Sequence, residues 1–580
     1  MMWRSFPQLS LALLALRACA VNLKPTRAVK GNIDVSASPF ITVQNGEFFV
    51  NGSRFAFVGT NAYWLHTLNT DGDIDKTLAD IASTGVKIVR AWAFNDVDTI
   101  PEAGTWFQHI SNNGTITINN GTNGLQKLDT MVQLAQKHGL YLLLSLTNNW
   151  SLARNTTVLR NILSNDYGGM DSYVRQLSSN LEHDQFYKNV TIIGTFKNYI
   201  SHVVSRYKNN PSILGWEIAN DARCNSTLPA SSQCNSTTIT SWHSNIAQHI
   251  LMEDPNHLVS SGNQGFFCFG CPKLFQKGTS PSPSQIPPIS VTPLPPRHIL
   301  NEKQDMSLGR YEVKKSDTSF VRRQQNANLG ASFDGTFGVD SEDILSIPEI
   351  GFGSFQLFPD QENYGPVNLT LSPLNRTFQV GVDWIQRHIA TGLDTGKPVT
   401  LLGFGLVTLD NIPAYVPFGS DNASTESIQQ PFGVTDSQRD QSCRLWLGAA
   451  IFGGLRGIIQ YQWGQANLTA QAGTAIPPSS NSSGTTSNQD ETGLSPNDGY
   501  SILGTSHEEA IGILKTAAEQ MSLTISSSSQ PPLAPQPSPT PSPQAQQPSS
   551  GMRQLQGFSI FACILSMLVG TLWISLFLVV

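Results

Sequence analysis

The sequence is poor in charged residues and contains no cluster of positive charge. Only 13% of its 580 residues are Asp, Glu, Lys or Arg, the formal net charge is −6, and no stretch has more than two consecutive Lys or Arg residues. Proteins that bind the phosphate backbone of nucleic acids need basic side chains gathered on one surface. We therefore expect no nucleic-acid partner.

Cysteine is also scarce, and its spacing does not suit a metal site. Cys268 and Cys271 form a C-x-x-C pattern, but no second pair lies at the spacing of a zinc site. We therefore expect disulfides, and neither a metal nor another cofactor. Of the seven cysteines, Cys19 and Cys563 lie in the terminal segments described below, which leaves five. Because five is odd, one of them must keep a free thiol or bond to another molecule.

Two apolar segments suggest how the protein is targeted. Residues 1–20 combine Arg4, an apolar run and small residues before a cut after Ala20, which is typical of a secretory signal peptide. Residues 557–580 are long enough to span a membrane, but no Lys or Arg follows them. They fit the removed signal of a glycolipid (GPI) anchor attached near 549–551, although the polar spacer is short. A single transmembrane helix is the alternative.

Proline-rich tracts and glycosylation sequons mark the remaining irregular segments. Residues 278–297 and 526–550 are rich in Ser, Pro and Gln and too poor in apolar residues to form a core. We expect an exposed insertion near 273–324 and a stalk over 526–550. Many Asn-x-Ser/Thr sequons favour a secreted glycoprotein of the cell surface or cell wall. They include Asn51, Asn113, Asn120, Asn155, Asn225, Asn235, Asn368, Asn375, Asn422 and Asn467.

Short apolar runs alternate with helical patterns along residues 39–517. Helical periodicity is clear over 73–85 and over 125–139, where a His-Gly pair predicts the end of the helix. Eight buried strands separated by helices predict an α/β fold, the (β/α)₈ or TIM barrel. The eight apolar runs are 55–64, 86–94, 140–150, 212–220, 257–265, 352–359, 397–405 and 457–465.

In this fold the active site lies at the carboxyl ends of the strands. Amide, guanidinium and aromatic side chains occur there, and together they suit a carbohydrate, because rings stack on sugar faces while polar groups bond to hydroxyls. Taken singly, a residue such as Trp92 or Trp216 would more often belong to the core. The candidates are Asn61, Trp64, Arg90, Trp92, Asn95, Asn148, Asn149, Trp150, Glu217, Asn220, Asp221, Gln264, Gln356, Tyr461 and Trp463.

Seven motifs occur in a fixed order along this region: "VRAWAFND", "NDYGGMDSYV", "HDQFY", "ILGWEIANDARC", "DPNHLVSSGNQGFF", "WIQRHI…GKPV" and "DGY". In this order they resemble fungal endo-β-1,4-mannanases of glycoside hydrolase family 5. The similarity covers roughly residues 39–517, apart from insertions near 151–164 and 273–324. The resemblance implies a disulfide between Cys224 and Cys234. It also implies a retaining mechanism with one Glu as acid/base and a second Glu as nucleophile.

The chain departs from that pattern where the chemistry should occur. The acid/base Glu is replaced by Asp221, whose carboxyl is one methylene shorter, and the nucleophile position holds Gly403, which has no side chain. Gln356 and Phe358 stand where the family has His and Tyr in strand six. On strand eight the family's platform Trp is Tyr461. We therefore expect impaired catalysis.

Three functions remain open from the sequence. We favour a non-catalytic, surface-displayed mannanase-like protein that binds β-mannan or a related glycan through residues such as Trp463. The second is an active endo-β-1,4-mannosidase or transglycosylase that uses a substitute carboxylate such as Asp410. Glu217 is a weaker substitute, because it fits the family pattern as a buried partner of Arg90. The third is a structural wall glycoprotein without a ligand.

Overall fold

The computed structural model describes residues 38–151, 163–275, 329–366, 369–415, 417, 433–470, 476 and 492–528. The predicted signal peptide, the apolar tail and most of the predicted stalk and insertion lie outside these residues, whereas residues 526–528 of the predicted stalk belong to the last helix, His507–Ser528. Within the described residues, no helix combines the length and the apolar character needed to cross a bilayer.

Eight parallel strands form a closed barrel. Neighbouring barrel strands pair in chain order from the first to the fifth and from the sixth to the eighth, and the eighth pairs in turn with the first. A parallel bridge between Ser260 and Phe352 joins the fifth and sixth barrel strands and completes the ring. This confirms the predicted TIM barrel. The barrel strands are β4 (Phe57–Asn61), β5 (Ile88–Trp92), β9 (Tyr141–Ser145), β10 (Ile213–Glu217), β11 (Leu258–Ser260), β12 (Gly353–Leu357), β13 (Val399–Phe404) and β14 (Gly457–Gln460).

Helices cover the outside of the barrel, so the strands are buried on both faces and read as apolar runs. Local signals set the helix ends: Thr70 accepts a hydrogen bond from the Asp73 amide at the start of α1, and Gly396 adopts a left-handed conformation after α9. The helices are α1 (Asp71–Ser83), α2 (Leu125–Lys137), α3 (Met170–Leu177), α4 (Gln185–Lys188), α5 (Val190–Tyr207), α6 (Ser236–Glu253), α7 (Ala331–Asp334), α8 (Ser341–Leu345), α9 (Pro373–Thr395), α10 (Asp436–Gly453) and α11 (His507–Ser528).

A small antiparallel sheet closes the end of the barrel at which the strands begin. It places Phe48 against an apolar cluster inside the barrel, to which Phe57, Leu214 and Phe352 also belong. Because this end is filled, the opposite end, where the strands finish, is the one available to a site. The sheet comprises β1 (Thr42–Gln44), β2 (Glu47–Val50) and β3 (Ser53–Phe55); the other short strands are β6 (Asp96–Val97), β7 (Gln108–Ile110), β8 (Ile116–Ile118), β15 (Leu468–Thr469) and β16 (Thr492–Gly493).

Each of two connections that follow barrel strands contains an internal disulfide. Cys224 is bonded to Cys234 between the fourth strand and α6, and Cys268 is bonded to Cys271 after the fifth strand. Cys443 in α10 carries a free thiol. Disulfides persist in oxidising compartments, which agrees with the secretion expected from the sequence.

Candidate active site at the mouth of the barrel

An ion pair lies at the base of the barrel mouth. Arg90 on β5 donates from Nε to Glu217 Oε2 at 2.7 Å and from Nη2 to Glu217 Oε1 at 2.5 Å, and both side chains are buried. The same guanidinium donates to Asn61 Oδ1 at 3.1 Å and to Asn220 Oδ1 at 2.9 Å. The predicted pairing of Glu217 with Arg90 is confirmed. Because both oxygens of Glu217 accept hydrogen bonds from Arg90, this carboxylate is poorly placed to act as a substitute acid.

Amide groups extend this network across the mouth. The Gln356 amide donates to Asn220 Oδ1 at 3.1 Å, and Asn220 Nδ2 donates to Asn148 Oδ1 at 2.9 Å. Asn148 donates in turn to Asn165 Oδ1 at 3.1 Å. Gln356, which replaces the histidine implied by the resemblance, therefore uses its side chain to hold Asn220. The arrangement satisfies buried polar groups, which makes it rigid.

The Asp221 carboxylate is held by its neighbours. Arg223 donates from Nε to Asp221 Oδ1 at 3.0 Å and from Nη2 to Asp221 Oδ2 at 2.8 Å. The Trp150 indole also donates to Asp221 Oδ2, at 2.9 Å. Arg223 also donates to Glu362 at 2.8 Å and lies 4.8 Å from the ring centre of Phe266. Burial raises the pKa of Asp221 to about 6, even though Arg223 favours the charged form.

The Gly403 backbone lies in β13 beside β12, in register with Gln356. A Cβ atom built on Gly403 would lie 3.1 Å from Cζ of Phe358 and 3.6 Å from Cβ of Tyr461. The Phe358 ring packs edge-on against Tyr461 and Tyr500, with centroid separations of 5.4 and 5.1 Å. A side chain at position 403 would therefore point into a packed aromatic cluster.

Tyr461, at the end of the eighth strand, is part of that cluster. Its hydroxyl donates to Asp498 Oδ2 at 2.6 Å, and its ring stacks on Tyr63 at 6.1 Å. Burial raises the pKa of Asp498 to about 6. Asp360, which follows the sixth strand, accepts a hydrogen bond from the Val407 amide, and burial raises its pKa to about 7.

The predicted aromatic rim is packed into the protein. Trp64, Trp92 and Trp463 are 0%, 1% and 3% exposed. The Trp92 indole donates to the Ser164 carbonyl, and the Trp463 indole donates to Gln465. The structure thus brings these rings to the mouth but leaves none of the three with an open face for a sugar.

The other predicted residues also make internal contacts. Asn95 donates to the Thr105 carbonyl, and Asn149 donates to the Asn225 carbonyl while its Oδ1 lies 3.0 Å from His183 Nε2. Gln264 is buried in the connection after the fifth strand. Asp410 is exposed on a 3-10 helix formed by Leu409–Ala414, away from the buried network.

Sequence reasoning missed several residues at the mouth. Arg223 and Glu362 were not predicted, although Arg223 follows Asp221 by only two positions. Asp498 was visible only as part of the "DGY" motif. Asp360 gave no signal, because an aspartate after a proline reads as an ordinary turn residue. Within the described residues, no group of three or more His, Cys, Asp and Glu side chains is placed to hold a metal ion.

Comparison with known proteins identifies relatives. Residues 38–282 match the family model described as GH family 5 beta-mannosidase-like. The mannan endo-1,4-beta-mannosidase A of Hypocrea jecorina is 31% identical over 370 residues, 64% of either chain. That of Podospora anserina is 38% identical over 225 residues, 39% of this chain and 54% of the other.

The fold comparison agrees with the sequence comparison. The crystal structure of the endo-1,4-beta-mannanase from Rhizomucor miehei matches with a TM-score of 0.54 and 25% identity, covering 83% of this chain and 99% of that one. The chain spans 46%, 64% and 49% of the lengths of three curated relatives that it matches. The resemblance predicted from the sequence is confirmed: the chain is similar to mannanases of glycoside hydrolase family 5.

Proposed function

We propose that the protein has lost glycosidase catalysis and serves as a surface-displayed protein that binds β-mannan or a related polysaccharide. The observation that carries the proposal is the packing around Gly403, where the Phe358 ring lies 3.1 Å from the position of a Cβ atom. A retaining glycosidase needs a nucleophilic carboxylate about 5 to 5.5 Å from the acid/base carboxyl. This position lacks the carboxylate, and a side chain there would require the Phe358 ring to shift.

The surroundings of Asp221 support the same conclusion. A general acid must present its proton to the leaving oxygen at hydrogen-bond distance. Both carboxylate oxygens of Asp221 instead accept hydrogen bonds from Arg223, and one also accepts from Trp150. Protonating Asp221 would weaken its pairing with a buried guanidinium. The side chain is therefore better suited to fixing the connection after the fourth strand than to transferring a proton.

Binding of a mannan-type glycan rests on kinship and on the retained mouth residues. Curated relatives carry the name mannan endo-1,4-beta-mannosidase. Arg90, Asn95 and Asn220 keep the residue types that the resemblance implies, whereas the catalytic positions do not. These three side chains are buried and hydrogen-bonded inside the protein, so the support for glycan binding comes chiefly from kinship.

Surface display completes the proposal. The apolar composition of residues 1–20 and 557–580 favours secretion and a glycolipid anchor near 549–551, with the Ser/Pro/Gln-rich residues 526–550 as a stalk. Treatment of membranes with a phosphatidylinositol-specific phospholipase should release the protein. Retention in the membrane, with the apolar tail detected by mass spectrometry, would instead indicate a transmembrane helix.

A parallel assay of hydrolysis and binding tests the proposal. The full-length protein, purified from a eukaryotic host, is incubated with β-mannan, galactomannan and cellulose, and reducing ends and depletion of the protein from solution are both measured. The mannanase from Hypocrea jecorina serves as the active control. Binding to mannan without release of reducing ends supports the proposal, whereas absence of both would favour a structural glycoprotein.

An active enzyme with a substitute carboxylate is the second candidate. Asp498 favours it, because its carboxyl has a raised pKa and accepts a hydrogen bond from the Tyr461 hydroxyl. The Cβ atom of Tyr461 lies 3.6 Å from where a Cβ atom at position 403, the position of the missing nucleophile, would be. Hydrolysis of mannan that is abolished by Asp498→Asn, but not by Asp410→Asn on the exposed 3-10 helix, would establish this candidate and overturn the first.

A further inference from the structure

The exposed N-glycosylation sequons are distributed unevenly over the barrel. Within the described residues, five of them lie in connections that lead from a barrel strand to the following helix: Asn113, Asn120, Asn225, Asn235 and Asn467. In the described part of the chain, no exposed sequon lies in a connection from a helix back to a strand. Asn51, in the hairpin between β2 and β3, is the exposed sequon that belongs to the closed end of the barrel.

Because of the fold, these five sequons all lie at one end of the barrel. Connections that follow the carboxyl ends of the strands all lie at the mouth of a TIM barrel. Asn225 follows the fourth strand and Asn467 the eighth, and these strands lie opposite each other in a ring of eight. Asn113 and Asn120 follow the second strand, between the two. Glycans on these residues would line the half of the mouth that runs from the eighth strand through the second to the fourth.

Contacts tie two of these sequons directly to the mouth. Asn225 lies four positions after Asp221, and its carbonyl accepts a hydrogen bond from the Asn149 side chain at 2.8 Å. Two residues beyond Asn467, the Thr469 carbonyl accepts a hydrogen bond from Asn69, in the connection after the first strand, at 2.7 Å. Both asparagines are exposed, so each can carry a glycan without rearranging the fold.

The structure also contains an internal negative control. Asn149-Trp150-Ser151 is a sequon in sequence, but Asn149 is fully buried and hydrogen-bonded to the connection after the fourth strand. A glycan there would be incompatible with the folded protein. The disulfides at Cys224 and Cys268 indicate an oxidising compartment, which is also where sequons become glycosylated.

We propose that N-linked glycans on Asn113, Asn120, Asn225, Asn235 and Asn467 form a fence along one half of the barrel mouth, from the eighth strand to the fourth, that hinders bulky polymers and admits short oligosaccharides. The fence itself does not depend on the proposed function. Its consequence for ligand choice does rest on a mouth that binds glycans. A polysaccharide running across the mouth would have to pass the chains on Asn225 and Asn467, whereas an oligosaccharide or a chain end could enter between them.

Site occupancy is the first test. The full-length protein from a secreting host is deglycosylated enzymatically in heavy-oxygen water, and labelled aspartates are located by peptide mass spectrometry. We expect occupancy at Asn225 and Asn467 and none at Asn149. Vacant sites at both Asn225 and Asn467 would overturn the proposal.

Access to the mouth is tested without any ligand. The Asp410→Cys variant places a thiol on the exposed 3-10 helix after the seventh strand, and Asn209→Cys places one between α5 and β10 at the opposite face. Both are labelled with a small maleimide and with a large polyethylene-glycol maleimide; protein with its native cysteines gives the background from Cys443. Adding Asn225→Gln and Asn467→Gly should speed labelling of Asp410→Cys by the large reagent severalfold and leave Asn209→Cys unchanged.

A matched variant removes a glycan from the other end of the barrel. Asn51 and Asn467 both have positive φ, 49° and 58°, so glycine fits either position, and Asn51→Gly makes the same backbone change as Asn467→Gly. Asn51→Gly should leave labelling at Asp410→Cys unchanged. Equal labelling with and without the Asn225 and Asn467 glycans would overturn the fence.

Ligand choice is measured last. Removal of the Asn225 and Asn467 glycans should strengthen binding of soluble galactomannan severalfold and leave mannohexaose binding unchanged. If neither ligand binds, the proposed function fails while occupancy and labelling still decide the fence. If the polymer binds equally well in both forms, the inferred selectivity is wrong.

Discussion

The Phe358 ring approaches Gly403 so closely that its Cζ atom lies 3.1 Å from where a Cβ atom would be. A contact of this length is too short for an unstrained side chain, so the neighbouring ring must give way. The loss of the nucleophile and the inward packing of the ring are thus two parts of one local arrangement. Restoring one residue alone does not restore the other.

Gly403→Ala should therefore lower stability, although alanine is small. Overpacking a buried site costs roughly 1 to 3 kcal/mol. In a Phe358→Leu background, where the neighbour is shorter and more flexible, the cost of Gly403→Ala should fall. Urea unfolding of the four proteins in this cycle gives the coupling free energy. Equal costs in both backgrounds would mean that Phe358 does not limit the space at position 403.

Trp92→Ala and Trp463→Ala should mainly lower the stability of the fold, and any loss of glycan binding should follow from that. The sequence suggested that these rings stack on sugars, but both are buried and their indole nitrogens donate to protein acceptors. Truncating a buried Trp costs about 3 to 5 kcal/mol. Thermal unfolding should show a clear fall in Tm for both variants. Weaker glycan binding at unchanged Tm would contradict the structural role.

The pH dependence of stability should carry the signature of Asp498. Burial raises the pKa of this carboxyl from 3.8 to about 6. A raised carboxyl pKa means that the folded protein holds the proton more tightly than the unfolded chain, so stability is greatest below the unfolded pKa and falls as pH rises towards the folded one. Asp498→Asn should remove about 2 kcal/mol of this decline between pH 4 and 6.

Urea unfolding of wild type and Asp498→Asn at several pH values measures this difference. Asp410→Asn is the matched control, because Asp410 is exposed on a 3-10 helix. Parallel pH profiles for the wild type and the Asp498→Asn variant would show that Asp498 does not titrate with a raised pKa.

The sequence predicted the barrel well because strand patterns are local. Each of the eight apolar runs contains a barrel strand, and the helical patterns at 73–85 and 125–139 correspond to helices that start and end within two residues of those bounds. Buried parallel strands give continuous apolar runs whatever surrounds them. The pairing of Arg90 with Glu217 was also predictable, since a buried guanidinium needs an opposite charge to offset its loss of hydration.

The burial and the hydrogen bonds of the side chains at the barrel mouth could not be predicted in the same way. Whether Trp92 lies open or covered depends on Ser164, more than seventy positions away, whose carbonyl accepts its indole hydrogen. The capture of Asp221 by Arg223 depends on a positive φ of 60° at Asp221, which turns the chain back on itself. Such contacts follow from the tertiary packing of irregular connections, for which the sequence has no periodic signal.

Rebuilding catalysis should require several substitutions at once. Gly403→Glu alone places a carboxylate against the Phe358 ring, and Asp221 remains one methylene short and bound to Arg223. The combination of Gly403→Glu, Asp221→Glu, Gln356→His and Phe358→Tyr restores both carboxyls and the polar groups that the family places beside them. A site misaligned by about 1 Å is a poor catalyst, so we expect measurable mannan hydrolysis only in the combination, with retention of the anomeric configuration.

Reducing-end assays and nuclear magnetic resonance of the first product test this prediction. Wild type should stay at background, far below the roughly 1 to 10³ turnovers per second of ordinary enzymes. Wild-type turnover in that range, lost in Asp498→Asn, would show instead that a substitute carboxylate performs the reaction.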